Sequence, residues 1–200
     1  MTRSLLVYLP GYPYTAETLM PQHLLAEMAS ALTEAGHETY VLDYGTVDDL
    51  AALTAGRLAN ALLGASAADL WEENAGVCSR WTARRRRRAL TGMVRQAEAR
   101  QCASAAMEIG THKSLDFVVL YIPRREDAAP ALRLAKALRV QTPSVRILLA
   151  GEHVNGYASF LLAASEFVDG CIVGDGEPTV VALADGMRLA HSWTNLPNLV

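Results

Sequence analysis

The chain alternates strand-like segments with stretches in which apolar residues recur every three or four positions. Short apolar runs bounded by turn residues are typical of buried strands. Such segments cover residues 4–10, 115–123, 144–151 and 168–174, and residues 37–44 are predicted to form a further strand, the second in the chain. Helical spacing covers residues 21–35, 128–141, 157–166 and 178–190. Because parallel neighbours need a crossover connection, this alternation predicts a parallel sheet with helices on both faces.

Residues 47–110 interrupt this alternation, because they contain almost no strand-like pattern. Asp48 and Asp49 suit the first turn of one helix, and Ser66 suits the cap of a second, short one. A third helical stretch covers residues 79–109. We therefore predict a doubly wound, five-stranded α/β sheet with the flavodoxin-like order 2-1-3-4-5 and a helical insertion between strands two and three. One domain would cover 1–190, and 191–200 would start a hairpin or a linker to a missing domain.

Composition narrows the class of protein. The 200 residues are half apolar and one fifth charged, with a net charge of −3, so we expect a globular protein with no general attraction to nucleic acid. The apolar run near the N-terminus is too short for a signal peptide, and no run has the length of a membrane span. A cytoplasmic protein without a membrane partner is the expectation.

The cysteines and a run of five arginines each have a simple interpretation. The three cysteines are widely spaced and form no CxxC motif, so we expect no zinc or iron–sulfur site held by this chain alone. The run Arg84–Arg88 would wrap the whole circumference of a helix, which favours a solvated surface. A patch for nucleic acid or for an acidic partner is the alternative.

Glycine is concentrated in the loops that follow the predicted strands. Ligands of doubly wound sheets bind beyond the carboxyl ends of the strands, near the point where the strand order reverses. Glycine allows a backbone to approach a ligand closely. The glycines in these loops are Gly11, Gly151, Gly156, Gly174 and Gly176. They predict a large, flat ligand over this edge; the alternative is that each only makes a tight turn.

Several common ligand classes lack their motifs here. No GxGxxG follows the first strand, and no Gly-Lys-Ser/Thr loop occurs, which disfavours a dinucleotide fold and a P-loop. Asp116 lies at the start of strand three, whereas a phosphoacceptor domain needs an aspartate at its end. Asp175 and Glu177 would repel a phosphate. They suit the start of the last helix, or hydrogen bonds to neutral amides and hydroxyls.

Four segments together resemble a known family. In chain order they are ALTEAGHETYVLD, DFVVLYI, RILLAGEHVN and FVDGCIVGDGEPTVVAL. They resemble the cobalamin (vitamin B12)-binding domain at the N-terminus of cobalamin-dependent radical S-adenosylmethionine (radical SAM) enzymes. The resemblance covers residues 4–44 and 115–190, and the last segment is its most specific part. The motif Asp-x-His-x-x-Gly, whose histidine ligates cobalt in many cobalamin domains, is absent from the loop LPGYPYT.

The resemblance implies cobalamin as the cofactor and assigns its contacts by position. The corrin ring would face Leu9, Pro10, Gly11 and Tyr12. Ile122 and Pro123 would flank the nucleotide tail. A groove for that tail would be lined by Gly151, Glu152 and His153 and closed by Gly174, Asp175, Gly176 and Glu177. For His153, a purely solvated surface position is an equal alternative.

The resemblance also implies what this chain would not contain. Because the loop after strand one contains no histidine, cobalt would have no histidine ligand from it, and no catalytic residue is expected on this chain. S-adenosylmethionine and the [4Fe-4S] cluster would belong to a radical SAM barrel, joined in cis or in trans, in an enzyme of the methyltransferase type. Two other interpretations stay open: a nucleotide- or sugar-binding half-domain of a transferase, and a degenerate domain that docks a partner through its insertion.

Overall fold

The structure is a computed structural model. It describes residues 1–54, 58, 59, 61, 77–112, 114–189, 196 and 198–200, and for 77–84, 86 and 87 it describes the backbone only. The predicted short helix at 66–74 and most of the predicted hairpin or linker at 191–200 lie outside the described residues.

A parallel sheet of five strands forms the centre of the described fold, with the order β2-β1-β3-β4-β5. This confirms the predicted fold class and strand order. The strands are β1 (Arg3–Tyr8), β2 (Glu38–Asp43), β3 (Phe117–Tyr121), β4 (Arg146–Ala150) and β5 (Gly170–Cys171). The order reverses between β1 and β3, so the crevice beyond their carboxyl ends is the expected place for a ligand.

Helices cover both faces of this sheet. They are α1 (His23–Glu34), α2 (Val47–Leu53), α3 (Val77–Thr111), α4 (Ala128–Gln141), α5 (Glu152–Ala164) and α6 (Gly176–Arg188). Short 3-10 helices occur at Ala16–Leu19 and Arg125–Asp127. The helices α2 and α3 lie between β2 and β3 in the chain, which confirms the predicted helical insertion.

Two buried clusters, one on each face, pack against the sheet, and a smaller third one lies within the insertion. On one face α1 and α6 cover the sheet through residues such as Leu25, Met28 and Leu183. On the other face α3, α4 and α5 cover it through residues such as Ile109 and Leu134. The insertion therefore contributes α3 to the main core, because its C-terminal half packs beside α4.

The fifth strand and the fifth helix differ from the sequence prediction. Only Gly170 and Cys171 pair with β4, although the apolar run covers 168–174. The chain end extends the sheet beyond β5, since residues 199 and 200 lie antiparallel beside it. The helix α5 begins at Glu152 rather than at Tyr157, and Tyr157 lies at a kink with φ −134° and ψ 16°.

Candidate functional site

An open cleft lies beyond the carboxyl ends of β1, β3 and β4, and we call it the switch-point cleft. Its volume is about 470 Å³. Its walls come from the 3-10 helix Ala16–Leu19, the first turn of α1, the loop after β3 and the start of α5. The lining residues are Tyr8, Glu17, Pro21, Gln22, His23, Leu24, Glu27, Tyr121, Pro123, Arg124 and Glu152.

Two tyrosines from adjacent strands line the inner end of the cleft. Tyr8 and Tyr121 are paired in the β1–β3 register, and their rings meet edge to face with centroids 6.1 Å apart. The Tyr121 hydroxyl donates to the Glu152 carboxylate over 3.1 Å. Burial raises the pKa of both phenols well above their ordinary value. The cleft is therefore closed toward the core by neutral aromatic rings that carry hydroxyl groups.

An ion pair fixes the arginine of the cleft. Arg124 Nη2 lies 2.9 Å from Asp127 Oδ1, and Arg124 Nε donates to Asp127 Oδ2 over 3.1 Å. Arg124 Nη1 also donates to the Thr15 hydroxyl over 3.1 Å. Because Asp127 is fully buried, it holds the guanidinium in place and opposes its charge.

The charge of the cleft disfavours a phosphate-rich ligand. Three carboxylates, from Glu17, Glu27 and Glu152, line it, while its arginine is already paired with Asp127. Like charges repel, so a di- or triphosphate would meet net negative walls. Carboxylate, hydroxyl and amide groups match a neutral ligand rich in N–H and O–H donors.

The loop after β1 places its predicted contacts unequally. Leu9 is only 3% exposed and packs in the core, and Pro10 and Gly11 are also buried. A Cβ at Gly11 would lie 2.0 Å from the carbonyl oxygen of Glu126. Gly11 thus allows two loops to pack together. Tyr12, at 39% exposure, is the member of this set that presents its side chain to solvent.

The loops after β3 and β4 meet each other at the wall of the cleft. Ile122 is fully buried, whereas Pro123 and Glu152 line the cleft. Gly151 has φ +123°, and a Cβ there would lie 2.5 Å from the Ile122 carbonyl oxygen. Gly151 is therefore required by backbone geometry as well as by this close contact. His153 lies outside the lining and stacks on Tyr157, with centroids 4.6 Å apart.

The loop after β5 lies beside the cleft and does not line it. Gly174 is exposed, has φ +80°, and donates its N–H to the Asn155 side chain over 2.8 Å. Asp175 is the N-cap residue of α6 and Glu177 lies in its first turn. A Cβ at Gly176 would lie 2.9 Å from Met28 Sδ and 3.7 Å from Leu24 Cδ1. Leu24 thus separates this loop from the cleft.

Sequence reasoning did not single out the residues that shape the cleft most, Tyr8, Tyr121 and Arg124. A signal for two of them was present, because Tyr-Leu-Pro at 8–10 and Tyr-Ile-Pro at 121–123 repeat the same pattern. Equal positions at the ends of neighbouring parallel strands place both rings side by side. The remaining wall, including Gln22 and His23, depends on where α1 begins relative to the sheet.

Within the part of the chain that is described, no group of three or more histidine, cysteine, aspartate or glutamate residues could hold a metal ion. The described helices also include none with the length and apolar character needed to cross a bilayer.

No protein-family model matches the chain, and no curated protein matches it either. Fold and cleft therefore define the class, a doubly wound α/β protein with a candidate ligand site at its switch point.

Proposed function

We propose that the chain binds cobalamin at this edge and forms the cobalamin-binding part of a radical SAM enzyme of the methyltransferase type. Two lines of support converge. Each of the four segments that resemble this family contains one strand of the sheet, from β2 to β5, and the fold has the strand order in which ligands bind at the switch point. The observation that carries the proposal is the switch-point cleft itself, with its acceptor-rich lining and its paired arginine.

The residues present fit the chemistry of cobalamin. The rim of a corrin ring carries carboxamide side chains, which donate hydrogen bonds to carboxylates and accept them from N–H and O–H groups. Glu17, Gln22 and Glu152 offer such partners, and Tyr8 and Tyr121 offer hydroxyls beside apolar ring faces. Tyr12 supplies a further exposed aromatic face from the loop after β1.

The packing of α1 against α6 limits which of the residues assigned by the resemblance can contact the ligand directly. Pro123 and Glu152 adjoin the cleft. Gly176 is shielded from it, because Met28 and Leu24 fill the space beside Gly176, and none of the residues 174–177 lines the cleft. We therefore propose that Pro123, Glu152 and Tyr12 contact the ligand with their side chains. Gly11 and Gly151 act by letting the loops that carry these contacts pack closely.

The chemistry of the reaction would belong to the cofactors. Bound cobalamin would supply a cobalt that carries and transfers a methyl group. This chain would bind and orient it and shield one side from water with Tyr8 and Tyr121. S-adenosylmethionine and the [4Fe-4S] cluster would be held by a radical SAM barrel in cis or in trans.

A binding titration tests the proposal. Hydroxocobalamin added to the purified chain is expected to co-elute with it in gel filtration and to give a saturable change in its visible spectrum. Leu24→Arg would place a large cation in the wall of the cleft and weaken binding at least about tenfold, a difference of about 1.4 kcal/mol. Val140→Arg adds the same side chain at an exposed position of α4 and is the matched control.

Two results would overturn the proposal. One is a colourless protein peak with no spectral change at any hydroxocobalamin concentration. The other is equal binding by wild type, Leu24→Arg and Val140→Arg, which would place the ligand away from the cleft. A parallel titration with ADP is expected to show no binding, and tight binding of ADP without cobalamin binding would favour the nucleotide-binding alternative.

A further inference from the structure

Two buried carboxylates hold successive N–H groups of the loop after β1. Gly11 donates to Asp127 Oδ1 over 2.8 Å, and Tyr12 donates to Glu98 Oε1 over 3.2 Å. Asp127 is fully buried and Glu98 is 6% exposed. Hydrogen bonds to charged acceptors are among the stronger ones in proteins. The N–H groups of two successive loop residues are therefore fixed from two separate elements.

Glu98 belongs to the inserted helix α3, far from the loop in sequence. Its second oxygen, Oε2, accepts a hydrogen bond from Arg133 of α4. Beside it, the Cys102 thiol donates to the carbonyl of Pro130 over 3.5 Å. Glu98 is thus the point at which the insertion, α4 and the loop after β1 are joined by polar contacts.

Stability alone does not account for this cluster. The Tyr14 hydroxyl and Arg133 Nε are buried there without a hydrogen-bond partner, and such groups cost free energy. A buried ion pair replaced as a whole by apolar residues of similar size is often neutral or stabilising. The specific consequence of the charged arrangement is the fixed position of the loop.

The same loop continues to the switch-point cleft. Thr15 accepts a hydrogen bond from Arg124, and Glu17 lines the cleft. Between the anchor and the cleft, the Tyr12 and Tyr14 rings meet edge to face, with centroids 5.7 Å apart. A change at the Glu98 anchor would therefore be transmitted to Tyr12 and to one wall of the cleft.

We propose that Glu98, paired with Arg133, is a positioning residue through which the inserted helix α3 sets the conformation of the loop after β1. This assigns the insertion a role within the ligand site. The effect on the loop stands on the contacts of the protein itself. The effect on ligand affinity rests on the proposed function.

The test is the double variant Glu98→Leu/Arg133→Met of the full chain. It replaces the ion pair by two apolar side chains of similar volume. The amide proton of Tyr12, followed by NMR hydrogen exchange, is expected to exchange about tenfold faster or more, because a charge-assisted hydrogen bond is lost. The thermal midpoint is expected to stay the same or rise. Affinity for hydroxocobalamin is expected to fall about tenfold as the loop becomes free to move.

Two further variants separate positioning from general packing. Glu98→Gln keeps an acceptor oxygen for the Tyr12 N–H. In this variant the Tyr12 amide is expected to retain most of its protection from hydrogen exchange. Arg139→Met/Asp169→Leu removes an ion pair of 2.5 Å whose carboxylate also accepts the N–H of Ile147 and pairs with Arg146 over 3.2 Å. Exchange of the Tyr12 amide and affinity for hydroxocobalamin are expected to stay at wild-type values in this control.

The outcomes distinguish this inference from the proposed function. Unchanged exchange at Tyr12 in the double variant would overturn the positioning role, whatever the protein binds. Faster exchange in a protein that never binds hydroxocobalamin would support the positioning role and reject the proposed ligand. Equal loss of protection throughout the sheet, with a lower thermal midpoint, would show that the pair only stabilises the fold and would also overturn the inference.

Discussion

Gly11→Ala is the substitution that most directly tests why glycine lies at the carboxyl edge of the sheet. The added methyl group would lie 2.0 Å from the Glu126 carbonyl oxygen and 2.5 Å from its carbonyl carbon. Both are backbone atoms, so no change of rotamer relieves the contact. The two loops must move apart, and the hydrogen bond from Gly11 to the buried Asp127 is strained or lost.

The expected cost combines two effects. Overpacking costs about 1–3 kcal/mol, and a lost hydrogen bond to a charged group costs about 1.5–3 kcal/mol. The variant should therefore lose about 3–5 kcal/mol in free energy of unfolding. For a chain of 150–250 residues, each kcal/mol lowers the thermal midpoint by about 2–4 °C, so a decrease of roughly 6–20 °C is expected.

The assay is thermal and urea unfolding of the protein without ligand, followed by circular dichroism. Gly186→Ala is the matched control, because it lies within α6 and a Cβ there meets no atom within 4 Å. Alanine is the better helix former, so this control should gain about 0.5–1 kcal/mol. A Gly11→Ala protein that unfolds within about 2 °C of wild type would refute the packing argument and return Gly11 to the role of leaving space for a ligand.

Three further predictions follow from buried side chains. Burial raises the pKa of Tyr8 and Tyr121 above the ordinary 10.0, so their contribution to stability is complete below pH 10.0 and is lost as the pH rises further. Urea unfolding at increasing pH should show this loss, and Tyr121→Phe should reduce it. Burial also raises the pKa of Asp43, against the opposing hydrogen bond from Gly45, so its charged form costs stability at neutral pH. Asp43→Asn should raise the free energy of unfolding at pH 7 and lose that gain in acid; a gain that persists below the ordinary pKa of 3.8 would contradict the assignment. Leu134 is fully buried under the sheet, and Leu134→Ala should cost about 2–5 kcal/mol in the same assay, whereas a cost under about 1 kcal/mol would mean that α4 repacks.

The sequence predicted only part of the candidate site, and the reason is physical. Glycine-rich loops after strands show where the backbone turns tightly, but the pattern does not say what the glycine faces. In the structure, Gly11 and Gly151 face neighbouring backbone and Gly176 faces Met28, while a Cβ at Gly174 would meet only Asn198 Cγ, at 4.0 Å. The partner atom of each glycine lies on an element distant in sequence, so only the packed chain identifies it.

The sequence by itself determined the elements and their order along the chain, because hydrophobic periodicity is a local property. The predicted helix at 128–141 has the bounds of α4, and continuous apolar runs marked the buried strands. The predicted start of α5 was wrong, since Gly156 was assigned to the loop after the fourth strand, whereas the structure begins the helix at Glu152 and continues it through a kink at Tyr157.

Only the tertiary structure decided which side chains meet. The cleft exists because β1 and β3 are neighbours, which brings Tyr8 beside Tyr121, and because α1 begins above them. The contact between Glu98 and the N–H of Tyr12 spans 86 positions, a separation at which no local pattern carries information. Local preferences fix the elements, whereas contacts between distant residues depend on how the sheet and its helices close together.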